Sequence, residues 1–405
     1  MKSPIQFSLH LVPDFSSVFL TLLLFSGCEG VNCRAQPQNH LPHQKHHLLH
    51  RHGHGEQGST DTGHGDGPDM LFVFGDSYAD TGNNAKTLAN SWRFPYGITF
   101  PGKPSGRFSD GRILTDYIGL RFSFSQITIP LLFFLTHRCS LFTAGFVGVD
   151  SPIPYRWRKF GGERLKSGMN FAHGGTGVFP TLVPGPNMST QIGFLDRLLR
   201  TAAFSRSDLR SSVALVTLSG NDYDAALAEN SSAPALLSYI PRVVGQLALN
   251  LKRIHGLGVA RVAVTALQPL GCLPRSTAAT SFRFCNESEN AAVGLHNRLL
   301  RRAVEELNAA GGATPSAFVL LDLYGAFMSV LNQTARNHGE KPLEACCVGV
   351  REEFKCGSVE RGGRKMYRVC GEPRWAFFWD SVHPTQEAWR AVAAALLPHL
   401  QLLRS

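Results

Sequence analysis

Lys and Arg outnumber Asp and Glu by 40 to 30 over the 405 residues, yet no run of them is long enough to grip a phosphate backbone. Their dispersal excludes nucleic acid as a partner. Weak attraction of the net charge of +10 to an acidic polysaccharide or a membrane surface stays open. Membrane-spanning runs are also missing. Residues 18–25 (VFLTLLLF) are too few to cross a bilayer. The apolar stretch 121–150 is broken by His137 and Arg138. No stable membrane insertion is therefore expected. The nine cysteines fit no zinc-finger spacing, and adjacent Cys346 and Cys347 suit a tetrahedral site poorly, so no metal is expected. A G-x-G-x-x-G fingerprint is lacking too, which removes support for a dinucleotide site.

What is present points to the secretory route. Lys2, the apolar run 18–25 and the small residues Ser26, Gly27 and Gly30 are the parts of a signal peptide, expected over residues 1–30 with cleavage near 27–35. Cys28 and Cys33 fall in that region and Cys139 in the atypical apolar stretch. The other six, Cys272, Cys285, Cys346, Cys347, Cys356 and Cys370, allow up to three disulfides. Cys272 with Cys285 would close a local loop; the remaining pairing is open. Sequons at Asn187, Asn230, Asn286 and Asn332 agree with glycosylation in that route. Residues 31–68 are polar and hold eight histidines between His40 and His64. They read as a disordered linker or pro-segment, with metal binding as the other reading. A single folded domain is expected over 69–405.

Within that domain five apolar, β-prone runs alternate with helical patterns: 70–74, 167–172, 212–219, 259–267 and 316–323. Helical periodicity is read at 115–120, 238–256, 288–309, 324–332 and 385–403, the last opened by Thr385 as N-cap. This alternation predicts an α/β fold, a five-stranded parallel sheet with helices on both faces. Three polar clusters directly follow strands: Gly75-Asp76-Ser77, Gly174-Gly175-Thr176-Gly177 and Gly220-Asn221-Asp222. In a parallel sheet they must gather at one edge, where ligands bind.

Gly-Asp-Ser by itself is an ordinary turn. Its neighbours at that edge make it a candidate site. Ser77 can act as nucleophile; the Asn221 amide and a backbone N–H from the Gly174-Gly175 turn can join the Ser77 N–H in an oxyanion hole. Asp380-Ser381-Val382-His383 lies between an apolar run and the last helix, so Asp380 can orient His383 toward Ser77. Pro384 sets that loop. G-x-S-x-G is absent around Ser77, which excludes the nucleophile elbow of α/β-hydrolases. His173, His255, His296 and His399 lack an acidic orienter and read as structural or exposed. Asp76 reads as a turn residue bonded locally.

FVFGDSYADTGNN, SGMNFAHGGTG, LSGNDY and FWDSVHPT, in that order, resemble the four sequence blocks of plant GDSL esterase/lipases of the SGNH hydrolase superfamily. Residues 94–119, 267–274 and 285–300 add further matches. The resemblance implies a three-layer, flavodoxin-like fold. It also implies a secreted, extracellular or cell-wall enzyme without cofactor that hydrolyses esters of acyl lipids, acetylated polysaccharides or small phenolics. By it, Ser77, Asp380 and His383 are catalytic, and Ser77, Gly175 and Asn221 form the oxyanion hole. Acyl transfer by the same triad, or a catalytically silent His-rich metal-binding protein, are the rival functions. Two departures stand out. His173 occupies a place where the family pattern has a small residue. Residues 121–147 have no counterpart and read as translated intron, a reading that cDNA retaining those codons would overturn.

Overall fold

The structure is a computed structural model and describes residues 70–119, 150–229, 232–311, 316–338 and 341–403. The expected signal peptide, the His-rich tract, the stretch 121–147, Asn230, Cys28, Cys33 and Cys139 lie outside the described residues.

All five expected strands form. They are β1 (Met70–Gly75), β3 (Gly168–Asn170), β4 (Ser212–Thr217), β5 (Arg261–Thr265) and β6 (Phe318–Leu321), joined by an edge strand β2 (Ile153–Pro154) that has no signature in the sequence. Two residues ending in proline leave no period to detect. The sheet is parallel throughout, in the order β2-β3-β1-β4-β5-β6. Without β2 this is the 2-1-3-4-5 order of doubly wound, flavodoxin-like sheets. A short antiparallel pair, β7 (Cys347–Gly349) and β8 (Tyr367–Val369), stands apart.

Central β1 shows why its sequence is apolar without alternation. Leu71, Phe72, Val73 and Phe74 are all fully buried, so both of its faces are covered. The covering helices are α1 (Leu114–Gly119), α2 (Met188–Arg200), α3 (Arg206–Arg210), α4 (Asn221–Glu229), α5 (Ala233–Gly256), α6 (Pro274–Thr277), α7 (Glu287–Ala310), α8 (Leu323–His338), α9 (Gln386–Ala395) and α10 (Leu397–Gln401). α1 and α8 both pack on α9, and α2 and α7 both pack on α5. Thr385 caps α9 as expected, accepting from the Ala388 N–H at 3.2 Å.

Disulfides close Cys272–Cys285, Cys346–Cys370 and Cys347–Cys356, using all six C-terminal cysteines. The last two staple the β7–β8 hairpin directly upstream of residues 377–380. Tyr78, next to Ser77, lies 5.0 Å from Trp389 on α9, which packs the turn after β1 against a helix more than 300 residues later in the chain.

Candidate active site

Three strand ends and the loop before α9 supply the site. Gly75 closes β1 with φ +138°, and a Cβ there would lie 1.9 Å from the Thr217 carbonyl oxygen on β4. Only glycine lets the two strands run side by side into the turn that carries Ser77. The buried amide of Gln191 on α2 then pins Gly75 on both sides. Gly75 N–H donates to Gln191 Oε1 at 2.8 Å, and Gln191 Nε2 donates to the Gly75 carbonyl at 2.9 Å.

From that turn Ser77 faces the loop before α9. His383 Nε2 lies 2.8 Å from Ser77 Oγ, and His383 Nδ1 lies 2.9 Å from both carboxylate oxygens of Asp380. Phe108 stacks on the imidazole at 5.0 Å between centroids, and Tyr78 meets it edge-on. The Asp380 carboxylate is saturated with donors. The backbone N–H groups of Val382 and His383 reach Oδ1 at 2.9 and 2.8 Å, and the Tyr96 hydroxyl reaches Oδ2 at 2.7 Å. Burial opposes ionisation of Asp380, but the His383 charge and the hydrogen bonds from His383 and Tyr96 outweigh it and hold the carboxyl below its usual range.

Nothing in the sequence ties Tyr96 to Asp380, because it is one of several aromatics in a Pro/Gly-rich loop. Its hydroxyl tempers the basicity of Asp380. Tyr96→Phe is therefore expected to lower kcat on a soluble ester by about tenfold with KM unchanged, the scale of one hydrogen bond to a charged group. Steady-state kinetics on p-nitrophenyl acetate read it, and a kcat equal to the parent's would refute the role.

At the end of β3, Gly174 is held from two sides. Its N–H donates to Asp80 Oδ2 at 2.9 Å and to Asn84 Oδ1 at 2.7 Å, while Asn84 Nδ2 donates to the Gly174 carbonyl at 3.1 Å. The block after Ser77 therefore clamps the glycine turn. Gly175 follows with φ +83°, under Val183, whose side chain would sit 2.6 Å from an added Cβ. Among the described residues, no backbone acceptor takes the N–H of Ser77 or of Gly175, so both are available to an oxyanion.

Asn221 differs from its expected disposition. Its Nδ2 donates to Asp76 Oδ2 at 3.1 Å and to the Thr176 carbonyl at 3.0 Å. Both amide hydrogens are engaged, and donation to an oxyanion would require the contact with Asp76 to yield. Asp76 itself is not the purely local turn residue expected from the sequence. Its Oδ1 accepts from the Tyr78 N–H, but Oδ2 accepts from the N–H and hydroxyl of Ser219 at 2.5 and 2.7 Å, 143 residues away. It ties β1 to the end of β4.

Burial pushes the Asp76 carboxyl from 3.8 up to about 6, against the pull of those hydrogen bonds and of His383. The folded protein thus holds this proton more tightly than the unfolded chain does. The group favours folding at pH below its unfolded value, and that contribution is lost as pH rises from about 4 to about 6. Asp76→Asn is expected to reduce the loss of stability between those pH values by about 3 kcal/mol, because each tenfold gain in proton affinity on folding is worth about 1.36 kcal/mol. Urea unfolding at the two pH values reads it; an unchanged pH difference would refute the linkage.

Three other described histidines stand outside the Ser77–His383–Asp380 contacts. His296 is buried, its pKa lowered by burial to about 4, and it shares a hydrogen bond with the Tyr223 hydroxyl. His255 Nδ1 lies 2.8 Å from the Val259 carbonyl. His173 packs on Gly185 beside the glycine turn, half-buried. Asn187 and Asn286 cap α2 and α7, and Asn332 is exposed on α8. No cluster of His, Cys, Asp or Glu able to hold a metal occurs among the described residues. A cleft of about 580 Å³ between Lys341, Arg368 and Trp375 includes none of Ser77, Asp380 and His383.

The family model described as GDSL-like Lipase/Acylhydrolase matches residues 71–396. The chain belongs to that family. GDSL esterase/lipase At5g03610 of Arabidopsis thaliana is 50% identical over 335 residues, covering 81% of this chain and 86% of its own. GDSL esterase/lipase At3g09930 of the same plant is 46% identical over 343 residues, covering 83% and 89%. Among solved structures, an acetylxylan esterase of Geobacillus stearothermophilus aligns with 82% of this chain and 94% of its own at 13% identity, with a TM-score of 0.36. Family membership makes this GDSL protein a carboxylic ester hydrolase, and its sheet with covering helices is the family's α/β fold.

Proposed function

We propose that this GDSL hydrolase is a secreted enzyme that cleaves acyl or acetyl esters of lipids or cell-wall carbohydrates through an acyl-enzyme on Ser77. The observation that carries the reading is the continuous relay from Asp380 through His383 to Ser77, with contacts of 2.9 and 2.8 Å. Ser77 Oγ attacks the ester carbonyl carbon as its proton passes to His383 Nε2. The charge that develops on the carbonyl oxygen is met by the N–H groups of Ser77 and Gly175, with Asn221 joining as its amide turns from Asp76. Collapse expels the alcohol, which takes the proton from His383. Water then attacks the acyl group on Ser77 as its proton passes to His383, and His383 returns that proton to Ser77 Oγ as the carboxylic acid leaves.

Secretion is supported by the three disulfides, by sequons at Asn187, Asn286 and Asn332, and by the signal-like start of the chain. No described helix is long and apolar enough to cross a membrane. Acid quench during turnover of p-nitrophenyl acetate, followed by mass spectrometry, tests the covalent step. An acetyl group on the peptide containing Ser77 is expected. Turnover with that peptide unmodified at every quench time would refute it. Adding an alcohol acceptor to the same reaction separates hydrolysis from acyl transfer, since a transferase would yield the new ester in place of free acid.

A further inference from the structure

The segment after β2 is a strongly basic and aromatic surface of the domain, and the catalytic mechanism makes no use of it. Residues 155–166 (YRWRKFGGERLK) carry five cations and one acid. Of the five, only Lys166 pairs with a carboxylate among the described residues, that of Glu163. Phe160 is 82% exposed and Trp157 38%. Their rings stand 6.5 Å apart at 55°, and the Lys86 ammonium lies 5.8 Å from the Trp157 ring. Leu88, just beyond Lys86, is 77% exposed.

Topology puts this surface on the same side as the site. β2 runs parallel to β3, so the residues that follow it emerge at the carboxyl edge of the sheet, as Ser77, Gly175 and Asn221 do. It is also bolted to the site's frame. The Arg156 N–H donates to Asn83 Oδ1 at 3.1 Å, its guanidinium donates to the Asn84 carbonyl, and Asn84 grips Gly174.

We propose that the surface of Lys86, Arg156, Trp157, Lys159 and Phe160 adsorbs the protein to anionic lipid bilayers. Exposed Phe and Leu side chains enter the acyl boundary, a Trp sits at the headgroup level, and Lys and Arg reach the phosphates. The tilted ring pair offers no flat platform for a sugar, and a phenyl ring and an isobutyl group carry no hydrogen-bonding atom for one. Adsorption is peripheral and leaves the carboxyl edge facing the bilayer.

The full chain carrying Ser77→Ala, which cannot consume the vesicles, is sedimented with vesicles of phosphatidylcholine alone and of equal parts phosphatidylcholine and phosphatidylglycerol. Binding to the mixed vesicles only, released by salt, is expected. In that background Phe160→Ser and Lys159→Glu should each weaken partitioning by about tenfold or more. Both side chains are exposed, and circular dichroism melts identical to the parent's verify folding. No binding by the parent, or binding by both variants equal to the parent's, would overturn the proposal. So would capture on polygalacturonate beads without vesicle binding, which would make the partner an acidic polysaccharide. Because Ser77 is absent throughout, the result is independent of whether the ester chemistry runs as proposed.

Discussion

Replacing His383 by alanine is expected to lower kcat for p-nitrophenyl acetate by roughly four to six orders of magnitude, with the fold intact. Among the described residues, its side chain is the base within reach of Ser77 Oγ, at 2.8 Å. Its backbone carries the loop's own bonds and survives the change: the His383 N–H to Asp380 and its carbonyl to the Trp379 N–H at 2.7 Å. Ser77→Ala should cost as much. The double variant should cost no more than either alone, because two parts of one relay fail together and their losses do not add. Asp380→Asn should fall at about 10⁴-fold, as an imidazole left in the wrong tautomer does. A His383→Ala enzyme retaining a tenth of the parental rate would end the assignment.

The second large effect is on folding. Gly75→Ala is expected to destabilise the domain by more than about 3 kcal/mol, in the range reserved for strain combined with a buried clash. The new Cβ would sit 1.9 Å from a carbonyl oxygen of a neighbouring strand, with φ at +138°. Neither side can give. Thr217 is held in the ladder between β1 and β4, and the Gly75 N–H and carbonyl are held by Gln191. Gly193→Ala on α2 supplies the contrast, because nothing lies within 4 Å of its added Cβ. There the helix should gain about 0.5–1 kcal/mol. Urea unfolding of the two variants should therefore give opposite signs. Equal and small effects would show that the close approach at Gly75 relaxes at little cost.

These two cases mark what is legible in the sequence. The five main strands of the sheet are, because parallel strands buried on both faces must be apolar without interruption; the two-residue edge strand β2 and the β7–β8 pair are not. The candidates Ser77, Gly175, Asp380 and His383 are, because each follows or flanks such a run, and the topology then forces them to one edge. The braces are not. Gln191 is one polar residue on an amphipathic helix, and only folding brings its amide against Gly75. The Asp76–Ser219 bond spans 143 residues, and Tyr96 meets Asp380 across 284. Such contacts have no period and no spacing; they exist only once the sheet has assembled. The engagement of Asn221 with Asp76 is hidden for the same reason. Residue type shows that the amide could serve an oxyanion but not which acceptors it would meet first.

The order in which the site's parts occur along the chain has its own consequence. Ser77 and His383 are separated by 306 residues, so during synthesis the proposed nucleophile leaves the ribosome long before its proposed base. The stretch that brings the base also brings Trp389, buried at 1% and wedged against Tyr78 and Phe327. A nascent or prematurely terminated chain lacks both the means to attack an ester and the plug that completes its core. Esterase activity is therefore expected only of molecules translated through α9. Fragments that stop before His383 are expected to be inert.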